Sequence, residues 1–478
     1  MTASELGMLV VADDLTGAAD TAVAFAEAGH RSRVDFDSFR GRAAGGEVVA
    51  IDTNTRHAGA RDAAQRVSTA VSSAPASRRY LKKVDSMLRG HLYGEIAAML
   101  SATGRRLAVC APAFPATGRM TRGGVQWADG MPVRDLRAEL AGLRPAHLDL
   151  ATVRGCQLAD VLRGLAGATA LALVDAVTED DLARLVRAAV PLEGELLWVG
   201  CGGLGQALAG ELRHAGVPGP APGPVSGGVL VIVGSPTATA AAQGMALRAN
   251  GVHEVRFPAA PLMTGNPGVV RSAAEQVAAV LRAGGDVLVN IGTTGPIPAA
   301  LGPTVVGTLA DSLAAAGVSP GALVATGGET ARRVIQALGA TAIQLIGQLE
   351  PGVVVGQLAG GPGCPVVTKS GSFGAEHSLV RAVQALRSLA LLCGHTERDP
   401  DEQTTPDRRH HGRPRRNRPR GRGQGRRVRR AGDVVHAGRD RRCSAASPGR
   451  RDLPGRRGHP RRRLASPGPA ATGSAGRA

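Results

Sequence analysis

Residues 8–20 read Met-Leu-Val-Val-Ala-Asp-Asp-Leu-Thr-Gly-Ala-Ala-Asp, and this stretch decides the fold. Met8–Ala12 is a short apolar run of the kind that is buried on both faces of a parallel sheet. Asp13 and Asp14 follow at once, at the carboxyl edge where open α/β sheets bind ligands. Thr16 and Gly17 then open a helical stretch, Ala18–Ala28, whose first N–H groups favour an oxygen-rich anion. A helix cap accounts for one Asp. Two in succession exceed what capping needs.

The same alternation continues outward. Val48–Ile51, Leu107–Cys110, Ala170–Val174 and Leu196–Val199 read as further buried strands, with helical stretches such as Ala60–Ser73 and Thr178–Ala189 between them. Pro218-Gly-Pro-Ala-Pro-Gly-Pro224, followed by Ser226-Gly-Gly228, reads as a stiff linker. The pattern then restarts with Val229–Val233, Val287–Ile291, Ala322–Ala325, Ala342–Leu345 and Pro365–Thr368, and closes on a helix over Glu376–Leu392. The expected fold class is two α/β layered domains with mostly parallel sheets, over residues 1–222 and 223–394. A disordered, basic Arg/Gly/Pro-rich tail is expected over 395–478.

Charge separates the tail from the body. The chain of 478 residues carries 57 basic and 39 acidic side chains, a net +18. Residues 395–478 hold 24 arginines, no lysine and eight acids, a net +16, which leaves +2 for the first 394 residues. The body therefore has none of the broad basicity of a nucleic-acid binder. Aromatics make up only 2% of the chain, too few for stacking platforms. No apolar run approaches a membrane span and no signal peptide is read at the start, so no membrane role is expected. Cys110, Cys156, Cys201, Cys364, Cys393 and Cys443 are scattered, without a CxxC pair. That argues against zinc or a disulfide framework and fits a cytoplasmic protein.

Polar clusters recur at strand ends. Lys82-Lys83-Val84-Asp85-Ser86-Met87-Leu88-Arg89-Gly90-His91 follows a strand expected over Tyr80–Val84, with Glu95 behind it. Lys83, Asp85, Ser86 and Arg89 suit a hydroxylated carboxylic acid, Arg forking onto a carboxylate while Asp and Ser take hydroxyls. A solvated helix start held by internal ion pairs is the plainer reading. Asp52–Arg56 and Ala111–Arg119 bring polar groups to the same crevice. The second domain carries glycine turns instead: Val233–Thr237, Thr326–Thr330 and Lys369–Gly374. Strand, glycine turn and helix aim backbone amides at phosphate. None is a P-loop or a GxGxxG fingerprint, but three in one domain point to a nucleotide.

These motifs carry a family resemblance. DDLTGAAD (13–20), KVDSMLRGH (83–91) and APAFPATGR (111–119) resemble the sugar-binding domain of the four-carbon acid sugar kinase family. GSPTATAAAQ (234–243), ATGGETA (325–331) and TKSGSFG (368–374) resemble its nucleotide-binding domain. The resemblance spans about residues 7–392. It implies ATP-dependent phosphorylation of the 4-hydroxyl of a tetronate or 3-oxotetronate. By motif, Asp13, Asp14, Arg56, Lys83, Asp85, Ser86 and Arg89 hold the sugar acid. Ser235, Thr237, Gly327, Gly328, Glu329, Thr330 and Gly371 hold ATP. Phosphoryl transfer needs charge neutralisation and in-line positioning, so Mg²⁺ on the phosphates is expected, with its protein ligands unassigned. Asp14 is assigned as the base, with Asp85 as its rival. A homodimer is a family-level expectation.

The tail has no counterpart in that family. Arg413–Gly425, RPRRNRPRGRGQG, can be encoded so that the next reading frame gives DPAGIGPEVVAKA. That resembles the 4-hydroxythreonine-4-phosphate dehydrogenase family. Asp433–Cys443 reframes to TSYTPVVIGDA, which resembles a later part of the same family. The tail is thus expected to be an out-of-frame reading of a neighbouring gene rather than a nucleic-acid arm. A neighbouring dehydrogenase for phosphorylated hydroxy acids would consume a product that keeps its 3-hydroxyl. D-threonate or D-erythronate is then favoured over a 3-oxotetronate. Two rivals of other classes remain: nucleic-acid binding through the tail, and sugar-acid binding without catalysis.

Overall fold

The computed structural model describes residues 5–212, 225–235, 237–292, 297–371 and 373–393. Most of the expected linker and the whole basic tail lie outside the described residues.

The first half contributes β1 (Leu6–Ala12), β2 (Ser32–Phe36), β3 (Val48–Asp52), β4 (Ser77–Lys83) and β5 (Leu107–Ala111). An excursion follows: β6 (Arg119–Arg122), β7 (Val125–Ala128) and β8 (Met131–Asp135) form a separate antiparallel sheet. β9 (Ala146–Leu148), β10 (Leu171–Val174) and β11 (Leu196–Gly200) return to the main sheet. The second half supplies β12 (Val229–Val233), β13 (His253–Pro258), β14 (Val287–Gly292) and β15 (Ala322–Thr326). β16 (Ala340–Glu350), β17 (Val353–Gly360) and β18 (Pro365–Lys369) complete it.

Among the described residues, fifteen strands share one sheet, in the order β9-β10-β5-β11-β4-β1-β3-β2-β16-β17-β18-β15-β12-β14-β13. Both halves are parallel except around the hairpin β16–β17. The long strand β16 runs antiparallel to β2, and this pairing joins the halves. Three register irregularities mark the β16–β17 ladder, a feature that bends and twists a sheet locally.

Burial explains why the apolar runs are strands. Leu9, Val10 and Val11 of β1 have no exposed surface, as expected for a strand covered on both faces. Each such side chain contributes roughly 1.5–3 kcal/mol through removal from water. The helix Leu15–Glu27 lays Leu15, Ala18, Ala22 and Phe25 on the sheet.

Register places the polar strand ends together. Ala12 of β1 stands beside Asp52 of β3 and Lys83 of β4. In the second half, Thr326 stands beside both Val233 and Lys369. The two sets of strand ends named in the sequence analysis are therefore two contiguous edges, one per half.

Several elements differ from expectation. The first helix starts at Leu15 rather than Ala18, because the Asp14 side chain caps it by accepting from the Gly17 N–H. The strand expected over Ala342–Leu345 extends to Ala340–Glu350. β2, β9, β13 and β17 and the small sheet β6–β8 are additional to the expected strands.

Candidate active site

β1 ends in a network of charge. Arg56 donates from Nε and Nη2 to the two oxygens of Asp13, at 2.8 and 3.1 Å, and from Nη1 to Asp14 Oδ2 at 2.8 Å. Its Nη2 also lies 3.3 Å from Asp85 Oδ1. Asp14 further accepts from Thr16 Oγ1 at 2.7 Å and from the Gly17 N–H at 2.9 Å. Burial alone would push the Asp14 carboxyl up, but Arg56 and Lys83 outweigh it and hold the group below its usual range. Asp85 takes a two-pronged fork from Arg89, 2.8 Å on each oxygen, and backbone N–H bonds from Met87 and Arg89. Against its burial, these donors and Arg56 hold Asp85 far below the ordinary carboxylate range.

Lys83 is buried and donates to the Val84 carbonyl at 2.9 Å. Its ammonium sits over Gly17. A Cβ there would lie 2.8 Å from Nζ and 2.6 Å from Asp14 Oδ1, so any larger residue would displace one of these two charged groups. Lys82 and Glu95 are engaged elsewhere, paired to each other at 2.6 Å.

A cavity of about 130 Å³ opens above this network. Asp14, Arg56, Lys83, Asp85, Ser86 and Arg89 all line it, while Asp13 stands behind, holding Arg56. Two charged lining side chains were not singled out from the sequence, although both lie inside quoted motifs. Asp20 sits one helical turn beyond Thr16, a spacing that puts both on one face. It also borders a neighbouring cavity with Glu27 and Gln206. Burial raises its carboxyl above the usual value, offset in part by Lys83. Arg119 donates to the Thr117 carbonyl, but its buried Nε has no partner. Gly352, Ser370 and Phe373 of the second half close the cavity.

The second-half loops assemble as expected of backbone-lined cradles. Gly327 has φ +87°, a conformation that favours glycine, and the helix Gly328–Ala337 starts directly after it. A Cβ on Gly234 would collide with Thr330, and one on Gly371 would collide with Ser235. Thr237 caps the helix Ala238–Ala249 through the Ala240 N–H and donates to the Gly371 carbonyl at 2.9 Å. Ser235, Thr237, Gly327, Gly328, Thr330 and Gly371 thus converge, with Glu329 in the first helical turn. Beside them lies a cavity of about 680 Å³, lined by Gly234, Ser235 and Thr237 and by apolar Ile291, Ile297 and Val305. Apolar walls beside an amide cradle suit a base and its phosphates. Lys369, from the third glycine turn, is buried and donates to the Ser370 carbonyl. Burial lowers it to about 8, against the opposing charge of Glu350.

The two edges meet. A Cβ on Gly328 would lie 3.2 Å from Asp14 Oδ2 and 3.4 Å from Thr16 Oγ1, so the helix start of the second half abuts the carboxylate of the first. One helical turn on, Arg332 anchors this approach. It donates to Asp52 Oδ2 at 2.7 Å and to the Asp52 carbonyl at 3.1 Å, and reaches Asp37.

Among the described residues, no group of three or more His, Cys, Asp or Glu side chains is arranged to hold a metal. Mg²⁺ carried by nucleotide phosphates needs only one or two carboxylates and keeps much of its water. Glu329, in the first turn of the helix that follows Gly327, supplies a carboxylate on the phosphate side.

A profile described as "Sugar-binding N-terminal domain" matches residues 8–208, and one described as "Nucleotide-binding C-terminal domain" matches residues 230–379. The chain is 39% identical over 409 residues to a D-threonate kinase of Cupriavidus necator, covering 80% of this chain and 98% of the relative. It is 35% identical over 400 residues to a D-threonate kinase of Bordetella bronchiseptica, covering 79% and 97%. A Salmonella typhimurium structure described as a putative tRNA synthase superposes with a TM-score of 0.66 at 21% identity. It covers 78% of this chain and 98% of that one, and speaks to the fold alone. The chain belongs to the four-carbon acid sugar kinase family.

Proposed function

We propose that this family member transfers the terminal phosphoryl group of ATP to the 4-hydroxyl of D-threonate. The observation that carries the reading is the meeting of Gly328 and Asp14. A helix start suited to phosphate stands against a carboxylate suited to a hydroxyl. The activity named for the two full-length relatives supports the same substrate.

The residues divide the work. Ser235, Thr237, Gly327, Gly328, Thr330 and Gly371 cradle the phosphates, and the neighbouring apolar cavity takes the base. Lys83 and the arginines balance the acid's charge. Asp14 accepts the 4-hydroxyl proton as the oxygen attacks phosphorus in line with the departing ADP oxygen. Among the described residues its Oδ1 accepts only one bond, from the Gly17 N–H. Asp85 is the weaker candidate for that step, since Arg89 and two backbone donors already engage its oxygens. Asp85 instead fixes the arginines. Mg²⁺ brought by the nucleotide would neutralise charge on the transferred group, with Glu329 in the first turn of the phosphate-side helix as the carboxylate that would hold it. ATP use and the free Cys110, Cys156, Cys201 and Cys364 suit a reducing cytoplasm.

The test is ATP consumption by the whole chain with Mg²⁺ against D-threonate, D-erythronate, L-threonate and 3-oxotetronates. D-threonate is expected to give the highest kcat/KM. Turnover of only a 3-oxo acid would overturn the substrate, and no turnover with any would overturn the kinase reading.

A further inference from the structure

We propose that Asp20 reads the 3-hydroxyl of the sugar acid and so sets the preference for a hydroxy acid over its 3-oxo counterpart. This rests on the sugar-acid kinase reading above.

The argument starts from which cavity groups are already spoken for. Arg56 is committed to Asp13, Asp14 and Asp85, and Arg89 forks onto Asp85. Asp14 is held by Thr16, Gly17 and Arg56. Asp20 lines the same cavity, and among the described residues its oxygens take part in no hydrogen bond or ion pair. Of the charged groups around it, Lys83 acts on it most strongly, through space and without a hydrogen bond. Gly202 leaves room for the carboxylate, because a Cβ there would lie 2.7 Å from Asp20 Oδ2. A half-buried carboxylate that lines the cavity and accepts nothing from the described residues has both oxygens available to a ligand donor.

Chemistry then narrows the donor. A carboxylate accepts only, so its partner must be a hydroxyl hydrogen. A ketone oxygen also accepts only, and opposite Asp20 it would leave both groups unpaired. With the 4-hydroxyl at Asp14, two inner hydroxyls remain. The 2-hydroxyl adjoins the substrate's own carboxylate, which the Asp20 charge repels. The 3-hydroxyl lies one carbon from the reacting end and one further from that carboxylate. It is the donor that Asp20 can reach at least electrostatic cost.

The experiment compares the whole chain with Asp20→Asn on D-threonate, on the 3-oxotetronate and on 2,4-dihydroxybutanoate, which lacks the 3-hydroxyl. The natural chain should prefer D-threonate to both others by about tenfold or more in kcat/KM. Asp20→Asn should lose about 10–100-fold on D-threonate, chiefly through KM. Its amide N–H can serve a ketone, so the ratio of D-threonate to 3-oxotetronate should fall at least tenfold. Equal losses on all three substrates, or a loss confined to kcat, would overturn the proposal and make Asp20 a proton acceptor or a structural group. If the variant does not fold, the natural chain still decides: equal kcat/KM for D-threonate and 2,4-dihydroxybutanoate overturns it. Absence of turnover with every tetronate in the natural chain would strike instead at the kinase reading.

Discussion

The pair Asp52–Arg332 offers a sharp test of how the halves are held. Asp52 ends β3 with no exposed surface, and Arg332 rises from the phosphate-side helix with 4% exposed. Burial raises the Asp52 carboxyl to about 6 in spite of Arg332. Its ordinary value is 3.8, so the folded state holds this proton about two units longer than the unfolded chain does. The sign follows from linkage. Below pH 3.8 both states are protonated and the contribution to stability is fully present. It is lost as pH rises from about 4 to about 6 and stays lost above. At about 1.4 kcal/mol per unit, the loss is about 3 kcal/mol.

Asp52→Asn removes the titration and keeps an oxygen for Arg332 to donate to. The variant should therefore gain on the natural chain by about 3 kcal/mol between pH 4 and pH 7, whatever its standing at pH 4. Urea unfolding of both proteins at closely spaced pH values measures the difference directly. A difference that stays flat across this range would refute the reasoning, because Asp52 would then titrate near its ordinary value. Arg332→Met supplies the converse. Without the cation, Asp52 should hold its proton to still higher pH, and the cost of the substitution should grow as pH climbs past 6.

Three further outcomes follow from the site. Asp14→Asn should lower kcat by about 10²–10⁴-fold, as steady-state assays would show; retained kcat would send the proton elsewhere. Gly371→Ala drives a Cβ into Ser235 and should raise the KM for ATP by about tenfold or more, with sugar-acid binding by calorimetry unchanged. A chain ending at Gly394 loses a net charge of +16. It should keep its kinase activity and lose low-salt retention on heparin, and DNA codons across 395–445 incompatible with a dehydrogenase frame would refute the out-of-frame origin.

Legibility followed burial. Leu9–Val11, Val229–Val233 and Leu323–Ala325 are covered on both faces and so read as unbroken apolar runs. β2 and β13 read Ser-Arg-Val-Asp-Phe and His-Glu-Val-Arg-Phe-Pro, where polar residues interrupt the run and pairing comes from the neighbouring strand. β16 gives no sign that it crosses from one half to the other, because its partner β2 lies some three hundred residues earlier. The Asp13–Asp14 and glycine-turn motifs were legible because each is local. Arg332 was not, since its partners Asp37 and Asp52 belong to the other half. Asp20 had a local signal after all: it stands at the fourth position after Thr16, on the ligand-facing side of the same helix.

The charge pattern of the sugar site explains why so many ionic groups crowd a small cavity. Arg56 and Asp85 are fastened to each other and to Asp13, Asp14 and Arg89 before any substrate arrives. Such groups add little new bonding to a ligand, but their positions are fixed, and fixed dipoles cost no reorganisation when charge moves in the reaction. Removing Arg56 would accordingly disorder the frame rather than subtract one contact, leaving Asp13 buried without its cation. The groups with spare capacity differ: Lys83 has hydrogens beyond the one given to Val84, Arg119 has a free Nε, and Asp20 has both oxygens. Two donors and one acceptor match a carboxylate at one end of the acid and a hydroxyl within it. Selectivity among four-carbon acids should therefore respond to changes at Arg119 and Asp20 more than at Arg56 or Arg89, where substitution should lower turnover of every acid alike.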